Sequence, residues 1–257
     1  MQQNRISNNK NGGALRTDEN LLNLVPRFRA TLTRADVELP KELDLRGSLG
    51  RVRNQGSQSS CVAMAGSCFM TYHLNQITKK GLCAPQMSPQ FIFNCRKNYP
   101  GWGMYGGDLE SILKNLGDCK ESLYPYGKRN EPKDSIPQNV KDAASKWKTI
   151  SGSLIYNPDD LKRALLENGP CVVIMPAYNH SSTFWNKKNE NDPLLFGHSM
   201  AIVGYNKQGF ICRNSWGVLW GNKGDTLYPY EDYGAHWEMW TFKPDDYSEN
   251  DVTQNCC

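Results

Sequence analysis

From Cys61 onward, apolar and small side chains fall at the spacing of one helical face: Cys61, Ala65, Cys68, Phe69 and Tyr72 stand three or four apart, and the pattern runs to Ile77 before Gly81 stops it. Ala63, Ala65, Gly66 and Ser67 are small enough to let other elements approach closely, so this helix is expected at the centre of the molecule. A short helix follows over residues 88–94, with Pro89 at its first position, and another over 109–116, marked by Leu109, Ile112, Leu113 and Leu116 and closed by Gly117. The polar stretch KRNEPKDSIPQN then marks a change of lobe. Beyond it, one helix over 159–168 gives way to strand-like runs at 171–175, 199–205, 209–213 and 226–230. Helices crowd the first half and strands the second. The pattern predicts an α+β fold of two dissimilar lobes with a cleft between them, a helical lobe over residues 39–135 and a β-rich lobe over 136–245. Residues 1–38 read as an N-terminal extension with one apolar cluster at 21–25 before Pro26, and residues 246–257 as a polar tail.

At 257 residues the chain is long enough for a sizeable core. Its formal net charge of +4 is spread along the sequence without a Lys/Arg run, and no nucleic-acid motif is present, so a nucleic-acid partner is not expected. The first residues, MQQNRISNNKNGG, lack the apolar core of a secretory signal, and no segment approaches the length of a membrane span, so an intracellular, cytoplasmic setting without membrane contact is expected. The nine cysteines are odd in number, irregularly spaced and without a CxxC pair, which fits neither a zinc site nor a small disulfide scaffold.

Cys61 follows a polar Gly- and Ser-rich turn and opens the central helix, where partial positive charge and unpaired N–H groups favour a thiolate. Beside this stands a plainer reading, one more buried cysteine packed as a small hydrophobe. A cysteine nucleophile needs a base and a group that orients the base. Of four histidines, His198 alone begins an apolar strand, and Asn214 ends another. An Asn carbonyl accepts from one imidazole nitrogen and leaves the other for the thiol. Gln55, before the cysteine, can join the Cys61 backbone N–H in donating to an oxyanion.

With these residues in place, the sequence from about residue 39 to about residue 230 resembles the papain-like cysteine peptidases. The resemblance rests on Leu39, Pro40, Asp44 and Arg46; on Asn54, Gln55 and Gly56 before the cysteine; on His198, Val203, Gly204 and Tyr205; and most specifically on Asn214, Ser215, Trp216, Gly217, Trp220, Gly221 and Gly224. The separation of Cys61 from His198 and Asn214 is a match to the family's pattern, not a deduction from spacing. It implies a papain-like two-lobed fold and peptide-bond hydrolysis through a thioester acyl-enzyme. Cys61 would be the nucleophile, His198 the acid/base, Asn214 its orienter and Gln55 the oxyanion donor. Trp216 would cover the His198–Asn214 contact, and Gly106 and Gly107 match the glycine pair whose backbone pairs with an extended substrate; a turn with no binding role stands as the other reading of that pair. Asp108 stands either near the specificity pocket, where a carboxylate would favour a basic residue, or as N-cap of the helix that follows. The substrate implied is a polypeptide, with no metal and no organic cofactor.

Gln58 and Val62 replace the family's upstream half-cystine and the Trp after the nucleophile, and Met104 stands where the half-cystine's partner would be. Losing both ends of one bridge suits a reducing compartment. Cys95 matches a family half-cystine; it and Cys119 are read as thiols. The C-terminal LYPYEDYGAHWEMWTF is similar to endings in microbial and large-virus branches, which makes a microbial cytosol or a virus particle a natural setting. The extension is expected either to occupy the cleft as a short pro-segment that inhibits intramolecularly or to tether the enzyme to a partner. Two other functions stand beside hydrolysis: a catalytically inactive papain fold serving a structural or binding role in an assembly, and a peptide ligase or isopeptidase on the same residues.

Overall fold

The computed structural model describes residues 12–31, 38–79, 85–127 and 130–247; Gly81, Cys83, Cys256 and Cys257 lie outside them. Helix α2 (Cys61–Thr78) is the predicted central helix, and it ends where Lys79 turns to a left-handed conformation at φ 53°. Its small residues do what the sequence implied. A Cβ at Gly66 would lie 2.4 Å from Leu109 of helix α4 (Gly106–Asn115), so the two helices meet at close range. Helix α3 (Pro89–Asn94) is capped by Ser88, whose Oγ accepts from Phe91 N at 3.1 Å. Helix α4 begins at Gly106, ahead of the first apolar position at Leu109.

The β lobe is a seven-stranded antiparallel sheet. Its order is β4 (Thr149–Leu154), β9 (Glu238–Pro244), β5 (Cys171–Ala177), β6 (Phe196–Tyr205), β7 (Gly209–Arg213) and β8 (Asp225–Pro229), with β2 (Leu43–Asp44) on β6. Strand alternation divides its side chains between two cores. Val172, Ile174, Ala201, Val203, Trp240 and Phe242 face α2 and the helical lobe. Val173, Met175, Met200, Ile202 and Met239 pack on the other face with Leu161, Ala164 and Leu165 of helix α6 (Pro158–Asn168). Helix α5 (Gln138–Ala144), β4 and β9 are among the elements that add to the sequence pattern. Cys95 and Cys119 are buried free thiols.

The described part of the extension crosses from one lobe to the other. Strand β1 (Ala14–Leu15) pairs in parallel with β3 (Met104–Tyr105), and helix α1 (Glu19–Leu22) is capped by Asp18. Residues 26–28 then ride on the edge of β4, where Leu154 N donates to Pro26 O at 2.9 Å and Phe28 N to Leu154 O at 2.8 Å. Thr31 is held by Glu167.

Candidate active site

Three elements meet at Cys61. The nucleophile loop delivers it to the first position of α2, β6 carries His198, and the end of β7 carries Asn214. His198 Nε2 and Asn214 Oδ1 are 2.7 Å apart, and the same oxygen accepts from Ser215 N at 2.7 Å. With Nε2 donating to an amide oxygen fixed in this way, His198 is left with a basic Nδ1, which is buried and has no hydrogen-bond partner. The Trp216 ring lies 4.3 Å from the imidazole, centroid to centroid, with Phe184 edge-on at 5.2 Å. Trp216 is buried, so it covers the His198–Asn214 contact from water.

Gln55 is clamped. Its Oε1 accepts from Ser215 Oγ at 2.6 Å, its backbone N donates to Ser215 O at 2.8 Å, and its Nε2 donates to Gln58 O at 2.9 Å. Hydrogen bonds brace the loop in place of the missing bridge. Tyr126 Oη lies 2.7 Å from Ser60 Oγ and donates to Gln55 O at 2.8 Å, while Ser59 Oγ accepts from Gly103 N at 3.1 Å. Gln58 reaches Gln90, and Val62 is buried in the core. Tyr126, Ser59 and Phe184 carry no motif that singles them out in the sequence, and only the fold brings them here.

The cleft is filled by the chain itself. Gly13 N donates to Gly197 O at 2.9 Å and Met104 N to Gly13 O at 2.7 Å, so residue 13 is stitched to both lobes. Thr17 N and Oγ1 both donate to the Glu238 carboxylate, at 2.6 and 3.0 Å, and Trp240 Nε1 donates to it at 2.8 Å. Gly12 and Gly13 allow the passage. A Cβ at Gly13 would lie 2.1 Å from Ser59 O, and one at Gly12 would lie 2.2 Å from the Phe196 ring. Cys61 and His198 are both fully covered.

This burial reverses the expected electrostatics of the nucleophile. The Cys61 thiol is pushed up to about 12 by burial, against backbone hydrogen bonds from Ser199, Val62 and Gly13. His198 is pulled down to about 4, again by burial, against its bond to Asn214. A rise from 9.0 to about 12 opposes ionisation by about 4 kcal/mol, more than the roughly 0.3–2 kcal/mol a helix N-terminus contributes. The closed site therefore holds a neutral thiol and a neutral imidazole.

The first turn of α4 holds Gly106, Gly107 and Asp108, and its N-cap is Tyr105 in place of the expected Asp108. Gly106 and Gly107 open α4, and the backbone that pairs with the strand in the cleft is that of Met104 and Tyr105. Gly106 is required for another reason, since its Cβ would lie 2.4 Å from Glu238 Oε2 and 2.5 Å from Trp240 Nε1; Gly107 lies beside Thr17, its Cβ 3.7 Å from the methyl. Asp108 is buried in the first turn of α4, whose N-cap is Tyr105, and its Oδ2 accepts from Lys97 N at 3.2 Å. It ties the loop after α3 to α4. Burial raises its pKa, against that bond and the nearby Lys97 and Arg96.

A helical lobe and an antiparallel β lobe that bring Cys, His and Asn together in the intervening cleft define a papain-like fold. Residues 39–231 match the papain family of cysteine proteases, and the chain belongs to that family. It is similar to cathepsin K of Mus musculus, 32% identical over 201 residues that cover 74% of this chain and 59% of the relative. It is also similar to cathepsin K of Gallus gallus, 31% identical over 218 residues, covering 79% of this chain and 63% of the relative. The chain thus spans about three fifths of the length of these relatives. Among solved structures, xylellain, a cysteine protease from Xylella fastidiosa, superposes with a TM-score of 0.75 at 23% identity, covering 90% of this chain and 95% of that one. A procathepsin B from Trypanosoma congolense gives a TM-score of 0.74 at 18% identity, with 92% and 87% covered.

Proposed function

We propose that the protein is a cysteine peptidase, acting through Cys61, His198 and Asn214, whose residues 12–17 hold the cleft closed as an intramolecular inhibitor. The observation that carries the reading is the 2.7 Å contact of His198 Nε2 with Asn214 Oδ1, which leaves a buried, unpartnered Nδ1 at the site of a cysteine on a helix N-terminus. Once the segment leaves and water enters, the burial that disfavours both charges is relieved. The Cys61 proton passes to His198 Nδ1, giving a thiolate and an imidazolium.

The sulfur then adds to the carbonyl carbon of a bound peptide. Gln55 Nε2 and the Cys61 N–H, orphaned at the first turn of α2, donate to the resulting oxyanion. Collapse breaks the C–N bond, His198 Nδ1 gives its proton to the leaving amine, and a thioester remains. His198 next removes a proton from water, the hydroxide adds to the thioester carbonyl, and collapse releases a carboxylic acid and the thiolate. Asn214 keeps the ring in the required tautomer throughout. The procathepsin among the fold's neighbours supports the inhibitory role of the segment. The ending LYPYEDYGAHWEMWTF supports placement in a microbial or large-virus branch.

An epoxide probe tests this reading. Gly13→Val cannot seat residue 13 against Ser59, so the full chain carrying it should be labelled at Cys61 much faster than wild type, as read by peptide mass spectrometry. A folded Gly13→Val chain left unlabelled would favour a fold retained for binding alone. Transfer products in place of free carboxylate would favour a ligase.

A further inference from the structure

Beside the nucleophile loop lies a solvent-open cavity of about 240 Å³ lined by residues that include Ser57, Gln58, Ser59, Phe93, Arg96 and Trp102. Arg96 is its unusual member. The residue is 3% exposed, and its guanidinium stacks on Phe93 at 3.8 Å. Among the described residues its hydrogen bonds go only to neutral oxygens: Phe93 O at 2.7 Å, Gly101 O at 2.9 Å and Asn130 Oδ1 at 2.6 Å. Its Nε is buried without a partner, and among the described residues it forms no ion pair. Asp108 is near enough to be felt, yet its carboxylate is engaged by Lys97 N.

An arginine stays protonated in proteins, and a buried cation whose partners are all neutral is the costly arrangement. Removing a buried charge from water is offset well only by an opposite charge with directed hydrogen bonds. The cavity leaves room for one. Its exposed rim, with Trp102 57% exposed, opens it to solvent even while the cleft is closed. Ser59 forms part of the wall and also touches Gly13, the residue lying at the Cys61 sulfur. A substrate side chain that clears the Ser59 backbone, as a Cβ at Gly13 does not, would reach this cavity close to the scissile bond. The occluding segment has glycine at that point and sends in no side chain.

We propose that this cavity is a subsite for an acidic side chain of the polypeptide substrate, with Arg96 as its carboxylate-binding residue. The proposal rests on the peptidase reading for its place in catalysis, but anion binding by the cavity does not require activity. Two experiments separate the two. In the first, the full wild-type chain is titrated with N-acetylglutamate N-methylamide and with the glutamine analogue, followed by saturation-transfer NMR. The glutamate compound should bind about tenfold more tightly, the worth of a charge-assisted hydrogen bond. That gap should vanish in Arg96→Gln and also in Gln58→Glu, which sets a competing carboxylate in the wall and leaves the buried arginine in place. Equal binding of the two compounds by wild type, or a gap that survives in folded Gln58→Glu, overturns the site.

In the second, Gly13→Val chains with and without Gln58→Glu are compared on peptides carrying Glu or Gln beside the cleaved bond. A Glu preference of about tenfold in kcat/KM, expressed mainly in KM and lost with Gln58→Glu, supports the subsite. Selective binding without any such preference would make the cavity a free-anion site and overturn its role toward substrate. Failure to hydrolyse any peptide, with binding intact, would count against the peptidase reading and not against the anion site.

Discussion

Gln55 is held on three sides before any substrate arrives, by Ser215 Oγ, Ser215 O and Gln58 O. Such preorganisation is what an oxyanion donor needs, because its dipole is already fixed when charge develops. Gln55→Ala in a Gly13→Val background should therefore lower kcat by about a hundredfold or more while Cys61 still reacts with a small alkylating agent. Peptide hydrolysis and iodoacetamide labelling measured side by side check this. Loss of both together would make Gln55 a mere prop of the loop. At this scale much was legible: the geometry places Gln55, Cys61, His198, Asn214 and Trp216 in one site. What the sequence concealed was protonation. A helix N-terminus argues for a thiolate, but the burial that outweighs it depends on the fold around Cys61, which brings residues as distant in sequence as Gly13 and Ser199 beside it. The same glycines stood in the opening stretch without sign of their fit, since a glycine's meaning there lies in what its absent Cβ would strike.

Strand β9 supplies the anchor of the occluding segment. Glu238 is buried on it and takes two hydrogen bonds from Thr17. Each bond to a charged acceptor is worth roughly 1.5–3 kcal/mol, and one of the two is lost when only the hydroxyl is removed. Thr17→Val keeps the shape and the backbone bond, and it should speed amide exchange at residues 13–17 by about tenfold, as read by hydrogen exchange with mass spectrometry. Exchange unchanged from wild type would mean that the segment is held by its backbone pairing alone. β9 itself escaped the sequence because Glu238, Met239, Trp240, Thr241 and Phe242 are all buried, one face against each core, so no polar alternation marks it. Helix α5 escaped for the opposite reason. Only Val140 and Ala144 are buried in it, too few to display a period. β5 and β6 are buried on both faces as well, but their long apolar runs, and the bounds of β7 and β8, are legible in the sequence to within a few residues of their ends.

Across the molecule, the buried His198 and the half-buried His73 and His236 are held as neutral rings, each pulled from 6.5 to about 4 chiefly by desolvation. The sign follows directly. Between pH 6.5 and about 4 the unfolded chain binds protons that the folded chain does not, so stability present above 6.5 is lost as pH falls, on the order of 3 kcal/mol for each histidine near pH 4. Melting temperature should drop steeply across that window, and His73→Phe should flatten the drop; a flat profile in wild type contradicts these burials. His198 adds a functional consequence, since it can take up a proton only when the cleft opens, and acid therefore favours opening through this residue. The two lobes and their shared cleft were legible because helices and strands segregate along the chain. The path of residues 12–31 from the cleft to the edge of β4 was not, because its pairing partners, Met104, Gly197, Leu154 and Glu238, belong to elements placed only by the fold.

The central claim, a Cys-His-Asn peptidase closed by its own glycine pair, is tested most directly by hydrolysis of a fluorogenic peptide by three full-length chains: wild type, Gly13→Val, and Gly13→Val with Cys61→Ala. The account predicts slow turnover by wild type, at least about tenfold faster turnover by Gly13→Val, the change expected from losing a contact worth 1.4 kcal/mol or more, and none from the double variant. A folded Gly13→Val chain no faster than wild type, or a double variant as fast as the single one, would contradict it.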